Sequence, residues 1–81
     1  MTQVAVVILN YNGEELLRKF LPSVLKFSGD AKIIVVDNNS SDQSVDILTK
    51  EFPQVEVIRI SINLGFLVGQ LQLIYLFQIP R

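Results

Sequence analysis

Apolar residues fall along this chain in three short runs, and each run gives way to a polar break. Val4 to Leu9 is continuous and rich in β-branched residues, the pattern of a strand buried on both faces. Leu16, Leu17, Phe20, Leu21, Val24 and Leu25 then recur at i, i+1, i+4 and i+5, one face of an amphipathic helix. Asn12 stands as its N-cap, with Glu15 three residues on as a capping-box partner. Pro22 is expected to kink that helix or split it. Ser28-Gly29-Asp30 marks a turn before a second strand, Lys32 to Val36. Ser40, Ser41 or Asp42 can cap a second helix, whose Val45, Leu48 and Phe52 lie at i, i+3 and i+7 and which Pro53 ends. Val55 to Ile60 reads as a third strand, with Val55, Val57 and Arg59 alternating against Glu56, Ile58 and Ile60. Phe66 to Phe77 admits a third helix, although its apolar residues are not confined to one stripe. The order predicts an α/β fold, a three-layer Rossmann-like βαβαβ unit with a parallel sheet and right-handed crossovers, followed by a poorly patterned tail.

Composition narrows the functions such a unit can carry. With 81 residues the chain holds one small domain, and 49% hydrophobic residues supply a core. Seven basic and eight acidic residues are spread along it, for a net charge of −1. No basic stripe forms, so nucleic acid is not an expected partner. Histidine and cysteine are both absent, which removes imidazole chemistry, disulfides and thiolate metal sites and fits a reducing compartment. The N-terminus lacks a basic region and its apolar run stops at Asn10, unlike a secretory signal. Between Arg59 and Arg81 no residue is charged. Ser61, Asn63, Gln70, Gln72 and Gln78 interrupt that stretch too often for a membrane span of ~20 apolar residues. The expectation is a cytoplasmic chain, with contact at the inner membrane face as the alternative that the uncharged tail admits.

Candidate chemistry gathers where two of the strands end. Ile33-Ile34-Val35-Val36 stops in Asp37-Asn38-Asn39-Ser40-Ser41-Asp42, and Val6-Val7-Ile8-Leu9 stops in Asn10-Tyr11-Asn12-Gly13. Ligands of open α/β sheets bind just outside the carboxyl ends of the strands, where an acid can accept from a sugar hydroxyl or a base N–H. Asp37 is the leading contact on this argument. An Asx-turn or capping aspartate is its equally plain alternative. Asn39, Ser40 and Asp42 lean to capping, Tyr11 offers a stacking face, and Glu14 and Glu15 suit a first-turn helix dipole. The first loop has a single glycine, Gly13, so neither GxGxxG nor a P-loop is present and a dinucleotide cofactor is disfavoured. No carboxylate or imidazole cluster has metal-ligand spacing.

VVILNYNG (Val6 to Gly13), VVDNNSSDQS (Val35 to Ser44) and Asn63-Leu64-Gly65-Phe66 together resemble, in order and spacing, the N-terminal third of family 2 glycosyltransferases of the GT-A fold, a group that includes rhamnosyltransferase-like members. The likeness covers Gln3 to about Phe66. It implies a sheet order of 3-2-1 and a nucleotide-diphosphate sugar as ligand. It maps the base-holding end of the first strand onto Leu9, Asn10, Tyr11 and Asn12. The base- or ribose-contacting acid falls on Asp37 with Asn39 beside it, and the cleft-lining segment on Asn63 and Gly65. On this resemblance Asp37 moves towards ligand binding.

After Phe66 the chain departs from the family pattern. It reads Leu67-Val68-Gly69-Gln70-Leu71-Gln72, with Leu71 where an asparagine is expected. No DxD follows, nor a catalytic base, so no catalytic residue is assigned. The divalent metal (Mg or Mn) that the resemblance implies belongs to a full-length parent. The expectation is a nucleotide-binding part over residues 1–66 and a divergent apolar tail over 67–81, as in a truncated or frame-shifted product inactive alone. The rival reading is a non-catalytic interaction module whose tail docks on a membrane or another subunit. Val4 to Leu9, central in the resembled fold, is expected to become an open edge that promotes self-association.

Overall fold

The computed structural model describes residues 2–61 and 71–80. In chain order the elements are β1 (Thr2–Tyr11), α1 (Glu14–Phe27), β2 (Lys32–Asn38), α2 (Ser44–Glu51), β3 (Glu56–Ile60) and β4 (Leu71–Pro80). They build one four-stranded sheet in the order β3-β2-β1-β4. β1, β2 and β3 are parallel and joined through helices, the Rossmann-like α/β arrangement the pattern predicts. β1 and β2 run in step from Ala5 opposite Lys32 to Asn10 opposite Asp37, so both strands end together at one edge of the sheet.

Side-chain alternation decides which face is covered. Val6 and Ile8 of β1 and Ile33 and Val35 of β2 are buried against Leu17 and Leu21 of α1, with Ile47, Leu48, Phe52 and Val55 completing the core. Successive strand residues point to opposite faces, so these positions share one face and both helices lie on it. The alternating residues Val7, Leu9, Ile34 and Val36 are only half-buried. Leu17 and Leu21, one helical turn apart, are wholly buried, and truncating such a leucine to alanine costs about 2–5 kcal/mol. Leu16, expected on the same face, is 37% exposed. Each end of the six-residue apolar stripe is therefore not equivalent, and the i, i+4 pair closest to the sheet dominates.

Three expectations are corrected. Of the kink or split expected at Pro22, the split is absent: α1 is one helix from Glu14 to Phe27 with Pro22 inside it. Pro22 is exposed, which places the ring on the solvent side, where water can satisfy the backbone group that lacks its partner. The tail is not helical over Leu71–Pro80; it is β4, a ten-residue strand. The run Leu71, Leu73, Tyr75, Phe77 and Ile79 alternates with Gln72, Ile74, Leu76 and Gln78, a period of two that suits a strand and leaves no helical stripe. Finally, Val4 to Leu9 is not an open edge. β4 pairs antiparallel with β1 along its whole length, from Thr2 opposite Pro80 to Tyr11 opposite Leu71, so β1 is central and the exposed edges are β3 and β4.

Candidate functional site

The carboxyl ends of β1 and β2 carry a closed hydrogen-bond network. Asn10 and Asp37 sit opposite each other in register, and both are fully buried. Asn10 Nδ2 donates to Asp37 Oδ1 at 2.9 Å and towards Ser40 Oγ at 3.3 Å. Ser40 binds the same carboxylate twice, through its hydroxyl to Oδ1 at 2.6 Å and through its backbone N–H to Oδ2 at 3.0 Å. Three donors thus engage Asp37. An ionised carboxylate offers about four acceptor positions, so capacity for one further donor remains, on Oδ2.

A second layer ties the two loops to each other's helices. Asn12 adopts φ 51 and Asn39 φ 53, the left-handed region that asparagine tolerates better than most residues. From that position Asn12 Oδ1 accepts the backbone N–H groups of Ser41 at 2.8 Å and Asp42 at 3.3 Å. Its own N–H donates to Ser40 Oγ at 2.9 Å. Asp42 answers in the other direction. Its Oδ2 accepts the N–H of Glu14, first residue of α1, at 3.1 Å. Its Oδ1 accepts the N–H and the hydroxyl of Ser44, first residue of α2, at 2.9 and 2.5 Å. Gly13 and Gln43 are the residues at the N-cap positions, and neither makes a side-chain cap. Expected as the cap of its own helix, Asn12 instead serves the loop before α2, while Asp42 serves both helices. Free N–H groups at a helix start need such acceptors, and a loop from a neighbouring strand supplies them here.

The predicted site residues therefore fall into distinct settings. Asn10 and Asp37 are brought together and buried. Leu9, Tyr11 and Asn12 are half-buried beside them, and Asn39 is exposed at the tip of the second loop. Asn63 and Gly65 lie outside the described residues. Ser40, which sequence patterning assigns to capping, turns out to be the hub joining Asp37, Asn10 and Asn12. The Asp37-to-Ser40 spacing of three residues is the sequence signal that finds it, because an aspartate commonly accepts from the backbone two or three residues on.

Chemically, the edge presents one deeply placed carboxylate, amide groups from Asn10, Asn12 and Asn39, and the Tyr11 ring. This set suits recognition by hydrogen bonding and stacking. Among the described residues no group of three or more His, Cys, Asp or Glu is placed to hold a metal ion. Among the described residues, no helix is long and apolar enough to cross a membrane.

The family model for glycosyl transferase family 2 matches residues 5–74, reaching past Phe66 into β4. A poly(ribitol-phosphate) beta-glucosyltransferase from Bacillus spizizenii (strain ATCC 23059 / NRRL B-14472 / W23) is 36% identical over 69 residues, covering 78% of this chain. This chain spans 11% of that relative's length. No solved structure matches.

Proposed function

The chain belongs to glycosyl transferase family 2, and from that premise we propose that it holds the nucleotide end of a nucleotide-diphosphate sugar at the carboxyl ends of β1 and β2. The observation that carries the proposal is the registered pair Asn10 and Asp37, bonded at 2.9 Å where two parallel strands end together. Ligands of parallel α/β sheets collect at that edge. The remaining acceptor position of Asp37 Oδ2 takes a base N–H or a ribose hydroxyl. Leu9 and Tyr11 supply apolar and stacking surface, Asn12 and Asn39 supply adaptable amides, and Asn63 and Gly65 complete the cleft on the strength of the family resemblance.

The network sets a condition on this binding. Asp37 is fully buried under Ser40, so a nucleoside reaches it only where the 40–42 loop yields. Affinity in this chain is therefore weak and coupled to movement of that loop. The reaction served would be glycosyl transfer to an acceptor hydroxyl. Such transfer needs a carboxylate base for the acceptor and positive charge for the departing diphosphate. The sequence contains no DxD, and we assign it no catalytic residue. It acts as the nucleotide-recognising portion of such an enzyme, and the lack of cysteine suits a cytoplasmic setting. In the rival reading the tail docks on a membrane or another subunit; the pairing of β4 with β1 over all ten residues leaves only its outer edge for such a contact.

The test is a titration of the isotopically labelled chain with uridine, guanosine, cytidine and thymidine diphosphates to millimolar concentration, followed by amide chemical shifts. At least one nucleotide is expected to move the resonances of residues 9–12 and 37–42 together. Shifts confined to other surfaces, or none with all four, would remove the proposal. Asp37→Asn, which preserves shape, is expected to weaken the response at least several-fold.

A further inference from the structure

The two edges of the sheet are built differently. β3, at one edge, has five residues and carries Glu56 and Arg59, with Lys32 paired to Glu56 at 3.0 Å beside it. A short strand bearing charges is how soluble proteins discourage strand addition. β4, at the other edge, has ten residues and no charged one, and its only blocking residue is Pro80 at the very end. Its inner side is paired to β1 throughout. Among the described residues no strand pairs with its outer side, so every second residue presents an N–H and a C=O outward.

We infer that the outer edge of β4 pairs antiparallel with β4 of a second copy of this chain, joining two four-stranded sheets into one of eight strands. Length and charge select this occupant. A partner's β3 would match only half of the ten-residue edge and would bring Glu56 and Arg59 against an uncharged strand. A partner's β4 matches nine of the ten positions, because the two-fold sets one residue opposite itself, and has no charge to desolvate. Antiparallel pairing of a strand with itself is also two-fold symmetric, so the contact closes at a dimer and does not propagate. An antiparallel ladder of this length makes roughly ten backbone hydrogen bonds, about the number found in a typical specific protein interface. The two-fold axis falls near the middle of β4, at Tyr75 or Leu76, which sets one of these residues opposite its own copy.

Sedimentation of the 81-residue chain at micromolar concentration tests the inference. The wild type is expected to sediment as a dimer. Tyr75→Lys is the chosen probe because its register partner, Val7, lies outside the buried core. Alone, Tyr75→Lys and Tyr75→Glu are each expected to be monomeric, since like charges meet near the axis. Mixed in equal amounts they are expected to re-form a dimer. Amide hydrogen exchange gives an independent reading on the unaltered chain. Protection of residues 71–80 should rise with protein concentration, while protection of residues 56–60 should not. A monomeric wild type, dimeric single variants, a mixture that fails to dimerise although each variant is folded, or concentration-independent protection of β4 would each overturn the inference.

Discussion

Replacing Asp37 by alanine is expected to remove a large part of the stability of this domain, with no ligand present. Three hydrogen bonds disappear with the carboxylate, from Asn10 Nδ2, Ser40 Oγ and Ser40 N–H. Bonds to a charged group contribute roughly 1.5–3 kcal/mol each, so simple addition gives about 4.5–9 kcal/mol. Addition overstates the loss, because two of the bonds share Ser40. That hydroxyl also keeps its contacts with Asn10 Nδ2 and the Asn12 N–H, and water can reach its half-buried position. A net loss of about 3–5 kcal/mol follows, in line with breaking other buried charged contacts. A domain of 81 residues at roughly 0.05–0.15 kcal/mol per residue has about 4–12 kcal/mol in total. Asp37→Asn keeps one acceptor and the shape but sets an amide donor against one of the incoming donors, so its cost is nearer 1–3 kcal/mol. Urea unfolding followed by far-ultraviolet circular dichroism separates the three proteins. With a slope near 1 kcal/mol/M for a small domain, the alanine variant should lose about 3 M or more in midpoint and the asparagine variant about 1–3 M. An alanine variant within about 0.5 kcal/mol of wild type, the scale of an ordinary surface change, would refute the reading of Asp37 as the centre of a buried network.

The reciprocal tie between the loops predicts coupling. Asn12→Ala and Asp42→Ala should each cost about 1–2 kcal/mol, and the double variant should cost less than their sum by about 0.5–1 kcal/mol, measured by the same urea titration, because Asn12 accepts the N–H of Asp42 itself. Deleting residues 71–81 should convert the chain into aggregates visible by light scattering, since it strips β4 from β1 and leaves Val4 to Leu9 unpaired; a soluble monomer after deletion would count against that account. The purified 81-residue chain is expected to show no turnover of nucleotide-diphosphate sugars with magnesium or manganese, and metal-dependent release of free nucleotide would contradict the assignment of no catalytic residue to it.

Much of the fold was legible because its signals are local. The runs at Val4 to Leu9 and Lys32 to Val36 lie in β1 and β2, the run Val55 to Ile60 meets β3 from Glu56 onward, and the stripe through Leu17 and Leu21 lies in α1. What failed depended on partners far apart in sequence. Nothing in the spacing of Asn12 to Glu15 discloses that Asn12 serves a loop 29 residues away. Local capping is the cheaper guess until the two strand ends are known to be adjacent. The tail misled for another reason. Read at a helical period, Leu71 to Phe77 has no stripe; read at a period of two it is an ordinary strand, and its partner was the very run, Val4 to Leu9, that otherwise looked unprotected.

The Asp37 motif held two readings open at the sequence level, ligand contact or turn-stabilising acid, and the network alters the relation between them. A carboxylate already holding three donors is fixed in position and orientation, whereas one facing solvent would have to be ordered when a ligand arrives, at a cost to affinity. Under the proposed binding, the bond from Asn10 Nδ2 holds the carboxylate in place while the two bonds from Ser40 yield with the loop to open Oδ2. The two roles separate at Asn39, which is exposed, adopts φ 53 and makes no side-chain hydrogen bond among the described residues. Glycine there preserves the left-handed backbone while removing the amide. Asn39→Gly should leave the urea midpoint nearly unchanged yet weaken the nucleotide response at residues 37–42. If stability falls as far as in Asp37→Asn, the loop tip is structural as well, and recognition must then rest on β1-side residues such as Tyr11.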